Sequence, residues 1–194
     1  MNRIHRWYCR SSRWKKKVET EILPWALSGA ELGNDVLEIG PGPGLTTDWL
    51  RGRCERLTCI EIDRDLACRL GRRAEPGVRV HCGSATAMPY RDSSFSSALS
   101  FTMLHHVPSA ALQDQLFAEA HRVLKPGGLF AGTDSLPSWL MKIFHVRDTL
   151  VLVDPATLHR RLEAAGFREV KIETNGTRFR FLARRPQGLS TLRS

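Results

Sequence analysis

The sequence predicts an α/β fold: a doubly wound, mostly parallel sheet of seven strands, with helices on both faces and an antiparallel hairpin at its C-terminal end. Three observations carry that prediction. Short apolar runs alternate with helical patterns from Asp35 onward, as parallel strands joined by crossover helices require. The first run, Asp35–Ile39, breaks into the glycine-alternating turn Gly40-Pro41-Gly42-Pro43-Gly44. The last two runs flank Asn175-Gly176, a pair that favours a tight hairpin because both residues tolerate positive φ.

Ahead of the first strand, Ile4, Trp7, Tyr8, Ser11, Trp14, Val18, Ile22 and Trp25 recur every three or four residues. That spacing predicts an amphipathic helix, or two short ones, with Arg and Lys on the opposite face. After the glycine turn, Thr46–Arg51 opens a helix, and Leu57–Ile62 is a second strand ending in acids. Asp63 caps a helix to about Arg73, and Val78–His81 and Ser97–Phe101 are the third and fourth strands. Ala110–Leu124 is a helix with Leu112, Leu116, Ala120 and Val123 on one face, stopped by Lys125-Pro126-Gly127-Gly128. Leu129–Thr133 is the fifth strand. Asp154-Pro155 starts a last helix running to Gly166, an N-cap acid followed by proline at the first helical position. Glu169–Glu173 and Arg178–Ala183 form the hairpin.

Length and composition narrow the class. The 194 residues suffice for one domain with a substantial core. A chain 42% hydrophobic and 25% charged is neither disordered nor fibrous. No apolar run is long enough to span a bilayer. The charged N-terminus lacks the apolar stretch of a signal peptide, so cytoplasmic residence is expected. The cysteines Cys9, Cys54, Cys59, Cys68 and Cys82 show no C-x-x-C pair and no Cys/His zinc spacing. They read as reduced, mostly buried small side chains, and no metal site is expected. The net charge of +9 is concentrated at the head, where Arg3, Arg6, Arg10, Arg13, Lys15, Lys16 and Lys17 precede the first acid, Glu19. Such a head suits a solvated helix face, a nucleic acid or an anionic membrane surface.

The glycine turn brings backbone close to a polar ligand above the sheet. Its spacing is G-x-G-x-G, whereas a dinucleotide fingerprint is G-x-G-x-x-G. Leu45 stands where the third fingerprint glycine belongs, so the turn departs from a nicotinamide site. Glu61 lies 21 residues after Gly40, close to the roughly 20-residue offset at which an acid reaches ribose hydroxyls.

Glu38-Ile39-Gly40-Pro41-Gly42-Pro43-Gly44, the acids ending the second strand, His121-Arg122-Val123-Leu124-Lys125-Pro126-Gly127-Gly128 and the Asn-Gly hairpin together resemble class I S-adenosylmethionine-dependent methyltransferases, closest to the methyltransferase-11-like group. The resemblance covers roughly Leu32 to Arg185. It implies a Rossmann-like domain over 32–185, preceded by a basic helical lid over 1–31 and followed by a flexible tail over 186–194. It implies S-adenosyl-L-methionine as cofactor, held by Glu38, Gly40, Pro41, Gly42, Gly44, Glu61, Ile62, Ser84, Ala85, Phe101 and Thr102. Glu38 would lie by the amino group of its methionine. N–H groups of the glycine turn and the following helix would receive the carboxylate. Ser84 departs from the family's usual Gly-Asp-Ala, and its hydroxyl is a shorter, uncharged acceptor for the adenine amino group.

His105 and His106 follow the fourth strand, where ligands sit in such sheets, and are the candidate bases. No third ligand accompanies them. The acceptor is expected between the N-terminal helix and Leu136–Val153, as a lid, with Trp7, Tyr8, His106, Trp139 and His145 as candidate contacts. The apolar aromatics favour a small aromatic or lipid-like acceptor. A nucleic-acid methyltransferase is the alternative, disfavoured because no Asn-Pro-Pro-Tyr-like element follows the fourth strand. A non-enzymatic cofactor-binding or membrane-surface module is the third reading.

Overall fold

The computed structural model describes residues 11–138 and 149–188. Seven strands form one sheet: β1 Asp35–Ile39, β2 Arg56–Glu61, β3 Val78–Cys82, β4 Phe95–Phe101, β5 Leu124–Ser135, β6 Arg168–Thr174 and β7 Arg178–Arg184. Their order is β3-β2-β1-β4-β5-β7-β6. All pairings from β3 to β5 are parallel, and β7 is antiparallel to both β5 and β6. The strand order therefore reverses at β1 and β4, which opens a crevice beyond their carboxyl ends.

Neighbouring strand residues point to opposite faces, and each face has its own core. Val36, Leu57, Leu99 and Leu129 pack with Val18, Ile22, Leu23, Leu50 and Leu70. Leu37, Ile39, Phe130 and Phe181 pack with Leu116, Phe117, Leu158 and Leu162 on the other side. The helices supplying the first face are α1 Ser12–Lys17, α2 Leu23–Ala26, α3 Leu45–Leu50 and α4 Arg64–Arg73; α5 Ala110–Val123 and α6 Pro155–Ala164 supply the second. The caps act as the residue types predict: Asp63 accepts from the N–H groups of Asp65 and Leu66, and Asp154 from that of Ala156.

Four details differ from the sequence expectation. The N-terminal helix is not uniform: α1 and α2 are joined by a π-helical turn, Val18–Ile22, whose Val18 and Ile22 are buried. Wider π turns re-aim the residues before them. Arg180 of β7 secures this helix, donating from Nη1 to the carbonyls of Trp25 at 2.6 Å and Ser28 at 3.2 Å. Next, Lys125-Pro126-Gly127-Gly128 is not a free turn but the start of β5. Gly127 and Gly128 exchange hydrogen bonds with Arg185 at 2.9 Å each, extending the β5–β7 ladder past the expected strand. The other strands and helices extend or stop one or two residues from their expected ends, as pairing across the sheet adds terminal residues. Finally, the described cysteines are free but not mostly buried. Cys59 is buried and Cys54 half-buried, while Cys68 on α4 and Cys82, ending the edge strand β3, are exposed. Among the described residues no helix is long and apolar enough to cross a membrane.

Candidate functional site

The carboxyl ends of β1, β2 and β4 and the segment after β5 open on one cavity of ≈ 930 Å³. Gly40, Pro41, Gly42, Glu61, Ile62, Ser84, Ala85, Phe101, Thr102, His105 and His106 all line it. Gly44 and Glu38 are set back from it.

The glycine turn works by shape more than by donation. Gly42 and Gly44 have φ of +56° and +88°, where a side chain is strained. A Cβ on Gly42 would meet nothing within 4 Å, whereas one on Gly44 would strike the Arg73 guanidinium and the Leu70 methyl. All three glycine N–H groups are already bonded: Gly40 to the Ile60 carbonyl at 2.9 Å, Gly44 to that of Pro41 at 3.0 Å, and Gly42 to Glu61 Oε2 at 2.9 Å. A ligand carboxylate at these three N–H groups would share or displace those bonds. The first N–H groups of α3 have no intrahelical partner.

Glu61 is buried at the rim, its second oxygen accepting from the Asp63 N–H at 2.9 Å. Two N–H donors leave a carboxylate with further acceptor capacity. Beside it Ile62 is 74% exposed, a large apolar side chain turned into the cavity. Ser84 bonds the Thr86 hydroxyl at 2.8 Å and accepts from its N–H at 3.2 Å, so a local turn orients its oxygen. Glu38 lies beneath the turn, fully buried, accepting from the hydroxyls of Thr46 and Thr47 and the Cys59 thiol. Burial pushes its carboxyl above the usual range despite those donors. It ties β1 to the start of α3.

Thr102, just past β4, has φ of +51°. Such strain in a non-glycine residue persists where surrounding structure enforces it, often at a ligand site. Its N–H donates to the Thr133 carbonyl at 2.8 Å, which turns the chain into the cavity. The 3₁₀ turn Leu104–His106 follows. His105 is buried, with Nδ1 2.5 Å from Asp134 Oδ1. Its own N–H donates to Asp134 Oδ2 at 3.0 Å, and the Ser135 N–H to Oδ1 at 2.7 Å. Burial alone would raise the Asp134 carboxyl, but the adjoining His105 ring and these donors outweigh it and hold the group low. The His106 ring lies 4.2 Å from that of His105.

The opposite wall comes from distant segments. Trp14, Lys17, Val18, Ile22 and Leu23 of the N-terminal helices line it, with Leu136, Pro137, Ser138 and Thr149. Arg178, at the start of β7, sits 5.3 Å over the Trp14 ring. Trp7, Tyr8, Trp139 and His145 lie outside the described residues. Asp134 and Arg178 were not singled out from the sequence. An acid at the carboxyl end of a parallel strand was the signal for Asp134; Arg178 gives none.

Strand order, reversed β7 and a glycine-turn cavity at the switch point define a Rossmann-like transferase architecture. Residues 37–132 match the family model described as a methyltransferase domain. These residues form a methyltransferase domain, similar to those of class I S-adenosylmethionine-dependent methyltransferases. Among curated relatives, a Mycolicibacterium smegmatis protein named as a probable S-adenosylmethionine-dependent methyltransferase is 29% identical over 156 residues, covering 76% of this chain and 57% of its own. The ribosomal RNA small subunit methyltransferase A of Methylibium petroleiphilum is 63% identical over 43 residues, covering 22% of this chain and 17% of its own. The chain thus spans less than two thirds of either. A chain in the solved complex of the Haloferax volcanii Trm112 methyltransferase activator with a methyltransferase superposes with a TM-score of 0.73 at 15% identity, covering 96% of this chain and 99% of that one. At that identity the likeness speaks to the fold.

Proposed function

We propose that the protein transfers a methyl group from S-adenosyl-L-methionine to a small aromatic or lipid-like acceptor. The observation that carries this is the cavity at the switch point. It is lined by Glu61 and Ile62 beside the glycine turn and by the apolar Trp14, Val18, Ile22, Leu112, Leu116 and Leu136. Its ≈ 930 Å³ lies near the top of the range for ligand pockets, about 300–1,000 Å³, which suits two ligands side by side.

The residues present fit the cofactor. Gly42 leaves open the space a Cβ would occupy. Glu61 keeps acceptor capacity for ribose hydroxyls, Ile62 offers an apolar face for adenine, and the first turn of α3 offers donors for a carboxylate. The bound cofactor supplies a methyl group already activated as a sulfonium. The chain's task is then alignment and exclusion of water. Phe101 to Met103 form the floor between the two ends. The N-terminal helices, with Leu136–Ser138 and Thr149, serve as the lid.

The likeness to ribosomal RNA small subunit methyltransferase A extends over 43 to 60 residues, too little of the chain to carry an RNA acceptor. Incubating the full chain with methyl-labelled cofactor and fractionated cell extract tests the reading. Label is expected in a low-molecular-weight fraction; label confined to RNA would overturn the small-molecule assignment. Calorimetry with S-adenosylhomocysteine tests the cofactor site separately.

A further inference from the structure

Met103 reaches from the glycine turn to the apolar wall of the cavity, and the role assigned to it rests on the methyltransferase reading above. The residue lines the cavity. On one side its side chain lies across Gly40. A Cβ on that glycine would fall 3.3 Å from Met103 Cβ and 3.4 Å from its Sδ, with Cγ nearer still. These are the nearest atoms it would meet, so Gly40 is bare where Met103 crosses it. On the other side Met103 packs against the core cluster of Leu104 and Leu116, which also receives Leu112 and Leu136 of the cavity wall.

The backbone carrying this side chain is held from both directions. Thr102, one residue before, is β-branched and sits at φ of +51°, a conformation kept only where surrounding structure enforces it. Its N–H donates to the Thr133 carbonyl at 2.8 Å. The Met103 carbonyl accepts from the His106 N–H at 2.9 Å, and the Gln113 amide donates to the Leu104 carbonyl at 3.1 Å. An extended Thr102 would send the chain in another direction. The strained Thr102, followed by Met103 at φ of −126°, brings the thioether over Gly40. Methionine is unbranched with three rotatable bonds, so on this fixed base its side chain can re-pack while the backbone stays.

We propose that Met103 is a specificity-determining residue of the transfer: its thioether is the partition between donor and acceptor, and its bulk sets which acceptors reach the methyl group. In-line transfer needs the attacking atom and the methyl carbon about 3–3.5 Å apart and aligned, so a wall beside the donor decides which groups come that close. A side chain resting on the first glycine of the turn crowds that space. A slim or flat acceptor group passes it, and a broad one is held off. The thioether can swing to admit several acceptors of similar girth, which a branched side chain with fewer rotamers cannot do.

The test uses the full chain, S-adenosylhomocysteine, and methyl-labelled cofactor with fractionated cell extract. With only 4 methionines in the chain, carbon-13 labelling of their methyl groups gives few signals, and Met103→Leu assigns the one from Met103. That signal should shift when S-adenosylhomocysteine is added, a readout independent of turnover. Gly40→Ala should lower S-adenosylhomocysteine affinity about tenfold, and adding Met103→Ala should restore about fivefold of it, because the second change removes the atoms the new Cβ strikes. Mass spectrometry of the labelled products should show broader acceptors with Met103→Ala and loss of the parental ones with Met103→Trp. Each should change the ratio of broad to slim products about tenfold or more, while Met103→Leu stays near the parent. A Met103 signal indifferent to S-adenosylhomocysteine, no rescue of Gly40→Ala by the second change, or one product profile shared by all the folded Met103 variants would overturn the proposal. Failure of the parent to bind S-adenosylhomocysteine would instead sink the underlying cofactor reading, and a parent that labels nothing would sink the transfer reading.

Discussion

The two ends of the cavity are built in different ways. The end proposed for the cofactor comes from two strand-to-helix junctions, Ile39–Leu45 and Glu61–Asp63, and the segment Cys82–Thr86 after β3, each short and continuous in sequence. The end proposed for the acceptor is assembled from residues within 14–23, 103–108, 135–138 and 176–178, with Thr149, segments that meet through tertiary contacts. The first construction is rigid and dictated locally. The second can change its walls without disturbing the first, so one donor site can serve many acceptors.

The most severe way to break the contrast is at Gly42. Gly42→Trp places an indole where the cavity is open and forces a non-glycine residue to φ near +56°. S-adenosylhomocysteine affinity should fall about 100-fold or more, equivalent to about 2.7 kcal/mol, with melting temperature changed little. Retained binding would refute the assignment of this end. Trp14→Ala is the complementary break. It should raise the acceptor KM about tenfold, the order of one lost aromatic contact, and leave S-adenosylhomocysteine affinity unchanged. Equal losses in both would show that the ends are not separable. Ile62→Asp should weaken S-adenosylhomocysteine binding about five- to tenfold by removing an apolar face worth about 1 kcal/mol; no change by calorimetry would detach Ile62 from the site.

The smallest effects concern acid stability. Asp35, held by Arg56 and Lys125, titrates at about 2 rather than 3.8. A depressed carboxyl contributes stability that is complete above its unfolded pKa and lost as pH falls through the folded one. Thermal melts should therefore show the parent losing this contribution between about pH 4 and pH 2. Asp35→Asn should be modestly less stable than the parent at neutral pH and converge with it in acid. A gap that persists at pH 2 would show that the ion pairs are not its source.

Local rules explain what was readable. The β/α alternation, the Asp63 and Asp154 caps, the turn at Gly40–Gly44 and the Asn175-Gly176 hairpin depend on residues within a few positions of each other. Features that needed partners far along the chain escaped. Lys125–Gly128 reads as a helix stop, and becomes strand because Arg185 bonds both glycines. His105 was visible as a candidate base, but Asp134 lies 29 residues away and nothing in the spacing joins them. Glu38 follows the family pattern in sequence, yet its side chain turns beneath the loop toward Thr46 and Thr47. The π turn follows from no local propensity in Val18–Ile22, and Cys68 and Cys82 were misjudged because composition carries no information about which helix or sheet edge faces water.

Arg180 gives the molecule a direction in time. It grips the carbonyls of Trp25 and Ser28, so a helix made at the outset is fastened by a strand made near the end. During synthesis this fastening waits for β7, the last strand of the sheet in chain order. A chain lacking β7 would thus lose this anchor together with the pairing to β5 and β6.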